Sequence, residues 1–298
     1  MSDNDDKYPA ESGRRRFVKG VVGGSALAGV GATGTAAMNS ITMSTGQGGG
    51  TTRAMAIENT AGPAPRGMPM IPIEIESNGD LRGVFPEWEE ITEGGLTSQI
   101  ARVEDFKGTG KQYSAEWFQY CGVQSYQGLS PDYEGDNLFR ADSGTAYDWQ
   151  SDAVSEGDPL NVSMFDDYGS YDTGIGAGGL GKPATGTWRS QDTESTMPIQ
   201  VIRSPHIEEL AQTGSTTVLG QTFEATGDIQ SWIQAACPQG FIAWLNKCTH
   251  FCCVPGWKQL AGSATFNAEN AVYCQCHQSV YQPFSVTETL FTALPRPQ

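Results

Sequence analysis

Apolar and polar side chains alternate along Ile71-Pro72-Ile73-Glu74-Ile75-Glu76, and this period of two predicts a half-buried β-strand over 71–76. Pro198-Ile199-Gln200-Val201-Ile202-Arg203 is a second strand candidate. Directly after it, Ser204-Pro205 opens a short helix running through about Gln212. Ser caps the first N–H groups there, and Pro needs no donor at the first helical position. Gly240-Phe241-Ile242-Ala243-Trp244-Leu245 has no polar position and is bounded by Gly, which predicts a buried strand. From about 85 to 190 the chain is aromatic, acidic and Gly-rich, a pattern that predicts strands joined by long surface loops. Residues 39–67, rich in Ser, Thr, Gly and Pro, read as a flexible linker. The chain has no internal repeat.

Composition supports this picture. With 37 Gly, 16 Pro and only 38% hydrophobic residues, the chain favours short strands and turns over a helix bundle. Its 298 residues allow one large or two modest domains. The formal net charge of −16 argues against nucleic acid and against anionic lipid bound through surface charge, since both need a basic surface. Acidic residues are spread along the chain and Lys (seven) is scarcer than Arg (eleven). Such a pattern is what a salt-adapted surface looks like, since carboxylates hold water while salt screens their repulsion, and a halophilic, haloarchaeal source is the expectation.

The N-terminus reads as an address. Gly13-Arg14-Arg15-Arg16-Phe17-Val18-Lys19 resembles the twin-arginine export signal, departing from it at Gly13, where Ser or Thr is common. Gly20 to Thr52 carries no charged side chain. Residues 1–38 are therefore expected to be a cleaved signal, with Thr35-Ala36-Ala37 as a small-residue cleavage site, or a retained membrane anchor. Either way the bulk of the chain is expected on the extracellular side.

Five of the seven cysteines fall between positions 248 and 276, interleaved with two of the three histidines. That arrangement reads as a metal site rather than a disulfide framework. The two motifs are KCTHFCCVPGW, 247–257, and YCQCHQSVYQPF, 273–284. Each supplies one Cys and one His at tight spacing, Cys248-x-His250 and Cys274-x-x-His277. A two-iron, two-sulfur group held by two thiolates on one iron and two imidazoles on the other needs that division. Structural zinc is the alternative for two cysteines and two histidines, although this spacing is uncommon for it. His206 reads as a surface or capping residue. Gly176–Lys182, GAGGLGK, imitates a phosphate loop, yet Pro183 stands where a hydroxyl is needed and no apolar strand precedes it. It reads as a flexible loop. Asn161-Val162-Ser163 is a glycosylation sequon.

The paired motifs resemble the Rieske iron–sulfur proteins of cytochrome bc-type quinol-oxidising complexes, with CTHxxCVP in the first loop and CxCHxSxY in the second. The resemblance covers about residues 198–297. It implies one 2Fe–2S cluster per chain, held by Cys248, His250, Cys274 and His277. It implies a disulfide between Cys253 and Cys276, with Cys252 as the competing partner; Cys253 precedes Val254-Pro255 as in the family. Ser279 and Tyr281 stand where the family places hydroxyls that bond the cluster sulfurs and raise its potential. Leu294-Pro295-Arg296-Pro297 is similar to the proline-rich loop that covers the cluster, and 258–270 is expected to be an enlarged surface loop. Cys121 and Cys237 have no role in the pattern.

The fold so implied is mainly β: an antiparallel Rieske-type β-sandwich domain over 198–298 with a small cluster-binding subdomain. A β/loop region of uncertain fold, 68–197, and the export or anchor segment precede it. The implied activity is electron transfer from a membrane quinol, which hydrogen-bonds His277, to a cytochrome or copper protein beside a cytochrome b-like subunit. Alternatives are the Rieske small subunit of a molybdenum-type oxidoreductase, or an oxygenase-type Rieske ferredoxin.

Overall fold

The computed structural model describes residues 50–93, 96–115, 126–250 and 253–293, all within one compact unit that spans 44–298. The export or anchor segment 1–38, residues 39–49, Cys121, Cys252 and Leu294 to Pro297 lie outside the described residues.

Along the chain come β1 (Gly50–Ala61), β2 (Met68–Pro69), β3 (Ile73–Ile75), β4 (Leu81–Gly83), β5 (Trp88–Glu93), β6 (Leu96–Val103), β7 (Tyr113–Ser114) and β8 (Phe139–Ala141). Helix α1 (Asp148–Ala153) precedes β9 (Lys182–Trp188) and β10 (Pro198–Arg203). Then follow α2 (Pro205–Thr213), the hairpin β11 (Ser215–Val218) and β12 (Gln221–Glu224), and α3 (Asp228–Ala236). The chain continues with β13 (Phe241–Leu245), β14 (Gly256–Trp257), β15 (Val272–Cys274) and β16 (Ser279–Ala293).

The protein is mainly β, and all paired strands among the described residues are antiparallel. The larger sheet has the order β14-β15-β16-β1-β2 and the second the order β13-β10-β9-β8. They are linked where Met70 bridges to Trp244 and the Ile71 N–H donates to Ala243 O at 2.9 Å.

β13 explains why its sequence lacks alternation. Phe241, Ala243 and Leu245 enter one core with Ile199, Val201, Phe139 and Trp188. Ile242 and Trp244 enter a second core with Ile202, Trp257 and the helix residues Leu210, Trp232 and Ile233. A strand covered on both faces has no polar side to display. Each such large side chain contributes about 1.5–3 kcal/mol through burial. Helix α2 starts as its sequence predicts. Ser204 Oγ accepts the His206 N–H at 3.2 Å, Pro205 occupies the first turn, and Gly214 ends the helix at φ 76°.

Three expectations change. The linker expected over 39–67 is in its second half a twelve-residue strand, β1, paired along most of its length with β16. Its Ala, Thr and Gly content resembles a linker, but Met55 and Ile57 face one core and Ala54 the other. Two-sided cover and pairing decide strand here, where local composition does not. Second, no boundary falls at 197/198: β8 and β9 precede it, yet they share a sheet with β10 and β13. Third, the strand expected over 71–76 narrows to Ile73–Ile75, because Met70 and Ile71 already pair with β13.

The loop over 176–182 is held by the enlarged loop 258–270. The Ala177 N–H donates to Asn270 Oδ1 at 2.7 Å, and its carbonyl accepts from buried Lys258 Nζ.

Candidate metal centre

Two loops carry the candidate ligands, the first running from the second sheet into the larger one and the second lying within the larger one. The first connects β13 to β14. Asn246 closes its neck, accepting from Trp244 Nε1 at 3.4 Å and donating to Pro255 O at 3.0 Å. Within the loop the Cys248 N–H donates to Cys253 O at 2.8 Å. The second loop is the β15–β16 hairpin, whose last pair is Cys274 with Ser279. The Gln278 N–H donates to Cys274 O at 2.8 Å, which leaves residues 275–278 as an exposed tip.

Strand alternation then sorts the side chains. Cys274, Ser279 and Tyr281 are buried, while Cys276 and His277 stand on the exposed tip. Cys248 is also buried and His250 half-buried, with Nδ1 sealed from solvent. The imidazoles of His250 and His277 meet edge to face, with centroids 4.8 Å apart at 83°. Cys253 and Cys276 are joined in a disulfide that ties the two loops together.

The sulfurs of Cys253, Cys274 and Cys276 lie within 4.8 Å of one another, close enough to hold a metal. A disulfide sulfur is not a thiolate, however, so the thiols able to ligate are those of Cys248 and Cys274. These two thiols hydrogen-bond each other, and that bond, with burial, pushes the Cys274 thiol well above its ordinary range. The Cys276 and His277 N–H groups pull the other way by donating to the Cys274 sulfur. A bound cation would displace the shared protons and take both sulfurs as thiolates.

Tyr281 supports the same corner. Its Oη accepts the Thr249 N–H at 3.2 Å and donates to Cys248 Sγ at 3.2 Å. Burial, then the bond to Cys248, pushes this phenol far up, so it remains a donor.

A third segment, absent from the sequence reading of the site, lies across both loops. The Ala64 N–H donates to Ser279 Oγ at 3.2 Å, and the Arg66 carbonyl accepts from Thr249 Oγ1 at 2.6 Å. Gly62, at φ 84°, passes so close that a Cβ would lie 2.4 Å from Gln278 O. The available signal was Gly62-Pro63-Ala64-Pro65, whose prolines hold an extended path. Its place in an expected linker hid it.

The other candidates lie apart from this site. His206 Nδ1 is 3.0 Å from Thr216 Oγ1, and its ring meets Phe284 edge-on. Burial lowers its pKa, opposed by Glu209. Cys237 is buried, which pushes its thiol up. In the sequon, Asn161 Nδ2 donates to Asp80 Oδ1 at 2.8 Å, and its oxygen accepts from Ser163 N and Oγ.

The donor set is thus two buried thiols and two adjacent imidazoles, one Cys and one His from each loop, with a hydroxyl already aimed at one sulfur. These residues fit a metal group that takes sulfur on its inner side and nitrogen on its outer side. No family model, curated protein or solved structure matches the chain.

Proposed function

We propose that this chain is a Rieske-type electron-transfer protein, the iron–sulfur subunit of a membrane quinol-oxidising complex. One observation carries the reading: two loops, cross-tied by Cys253–Cys276, each supply one Cys and one His, with the two thiols in contact and the two imidazoles edge to face. Cys248 and Cys274 would hold one iron of a 2Fe–2S cluster, and His250 and His277 the other. Bound there, the cluster supplies a one-electron acceptor whose neutral imidazole ligands raise its potential above that of an all-thiolate cluster.

The chain's own residues supply the rest. Tyr281 donates to Cys248 Sγ, which stabilises negative charge on that sulfur. The backbone N–H groups of Cys276 and His277 do the same for Cys274. His277 stands on the exposed tip, where a quinol oxygen can reach its ring and hydrogen-bond the nitrogen that would not hold the metal. His250 is less exposed and suits a structural ligand. Cys248 and Cys274 are shut off from water.

The quinol as donor, a cytochrome b-like neighbour and a cytochrome or copper-protein acceptor belong to this reading, as does twin-arginine export with the site on the extracellular side. Among the described residues no helix is long and apolar enough to cross a membrane.

The test is electron paramagnetic resonance of the reduced, purified protein, titrated against potential and pH, beside metal analysis. Two irons and two acid-labile sulfides per chain, with a high potential that falls as pH rises, are expected. Zinc in place of iron would overturn the reading. A low potential without pH dependence would remove quinol as the donor.

A further inference from the structure

We infer that Cys274 is the centre of a four-sulfur exchange relay: in the metal-free protein it takes the disulfide from Cys253–Cys276 and passes it on to Cys248. The consequence for metal binding rests on the reading above, whereas the exchange concerns only this chain's own sulfurs.

The Cys274 sulfur lies within 4.8 Å of both sulfurs of the Cys253–Cys276 disulfide. It also shares a hydrogen bond with the Cys248 thiol. The Cys248 N–H donates to Cys253 O at 2.8 Å, so the first loop keeps its own two cysteines together as well. One sulfur is therefore within reach of the three others, and rotation about its side-chain bond is enough to bring it onto the disulfide.

The chemistry takes two steps, each an attack of a thiolate on a disulfide sulfur. In the first, deprotonated Cys274 attacks the Cys253 sulfur. A Cys274–Cys253 bond forms, the Cys253–Cys276 bond breaks, and Cys276 leaves as a thiolate that takes up a proton. In the second, deprotonated Cys248 attacks the Cys274 sulfur. A Cys248–Cys274 bond forms, and Cys253 leaves and is protonated in turn. Two electrons pass from the ligand pair to the cross-tie pair, so no outside oxidant or reductant is consumed and the protons balance.

Burial gives the direction. Cys248 and Cys274 are buried, Cys253 is half-buried and Cys276 is exposed. Exchange leaves the less polar disulfide away from water and puts a thiol where water solvates it. The same exposure favours Cys276 as the first leaving group, because its thiolate is solvated. A bound metal prevents both steps by engaging the two attacking sulfurs. Its loss is then made covalent: once joined, Cys248 and Cys274 offer no thiolates, and metal does not return until a reductant opens the bond.

Disulfide mapping of the full-length protein tests the relay. Metal-free wild type, prepared by chelation and kept under argon, is held for about a day, beyond the minutes to hours of an uncatalysed rearrangement. It is then alkylated and mapped by mass spectrometry against a sample quenched at the start. Label should move from Cys248 and Cys274 to Cys253 and Cys276, with the total number of thiols unchanged. Cys248→Ser should stop at the Cys253–Cys274 bond, with Cys276 labelled. Cys274→Ser and iron-loaded wild type should keep Cys276 unlabelled, and Cys252→Ser should behave as wild type. Persistence of Cys253–Cys276 in metal-free wild type would overturn the inference, as would equal labelling of Cys276 in Cys274→Ser. A rise in total thiols, or loss of the exchange in Cys252→Ser, would do the same. If Cys274→Ser does not fold, the Cys248→Ser trap decides, and absence of its Cys253–Cys274 bond counts against the relay. Wild type purified without iron sinks the cluster reading while the metal-free arm still decides the exchange, and iron without exchange sinks the relay alone.

Discussion

Replacing Tyr281 by Phe removes one buried hydroxyl and nothing else. Its Oη donates to Cys248 Sγ at 3.2 Å and accepts the Thr249 N–H at the same distance. A hydrogen bond to a charged acceptor contributes about 1.5–3 kcal/mol to stability. Cys248 would be a thiolate in both oxidation states, so only the extra strength gained on reduction moves the potential. Taking roughly 1 kcal/mol for that difference, a third to two thirds of the whole bond, and about 59 mV per 1.4 kcal/mol for one electron, the potential falls by roughly 40 mV. The Thr249 N–H also loses its partner inside the protein, a cost of about 1–3 kcal/mol in stability. Two assays separate these effects: a redox titration followed by paramagnetic resonance, and thermal unfolding of the metal-free protein. A variant with an intact signal and an unchanged or higher potential would refute the role given to the hydroxyl. A lower potential without any stability change would refute the claim that its oxygen also holds Thr249.

Other consequences can be measured separately. Cys276→Ser opens a loop with a sequence separation of 23, and chain entropy then predicts a loss of about 3 kcal/mol in unfolding measurements under non-reducing conditions. Full stability in that variant would show that the loops are held without the disulfide. His206, whose folded pKa burial lowers, binds its proton more readily when unfolded. Its contribution is therefore complete above the unfolded value of about 6.5 and declines as pH falls through that value toward the lower folded one. Melting temperatures of His206→Gln should fall less than wild type between pH 7 and 5, and parallel curves would count against this. Because the net charge is −16, thermal stability should rise with salt up to molar concentrations, and full stability in dilute buffer would remove the salt-adapted reading.

Much of this protein was legible in its sequence wherever the cause was local. The Ser204-Pro205 start of α2, the 198–203 strand and the five-residue apolar run of β13 follow from capping chemistry and from burial on one or both faces. The candidate site was legible because ligand chemistry restricts residue type and spacing: Cys248, His250, Cys274 and His277 stand out in a chain with three histidines. Tertiary structure decided what depends on distant partners. Ala54, Met55 and Ile57 look like linker until β16 pairs with them and two cores cover them. Ala64 and Arg66 have no side-chain chemistry to read, since they act on Ser279 and Thr249 through a backbone N–H and a backbone carbonyl. Every residue but proline carries both of these groups, so only the fold can say which of them matter.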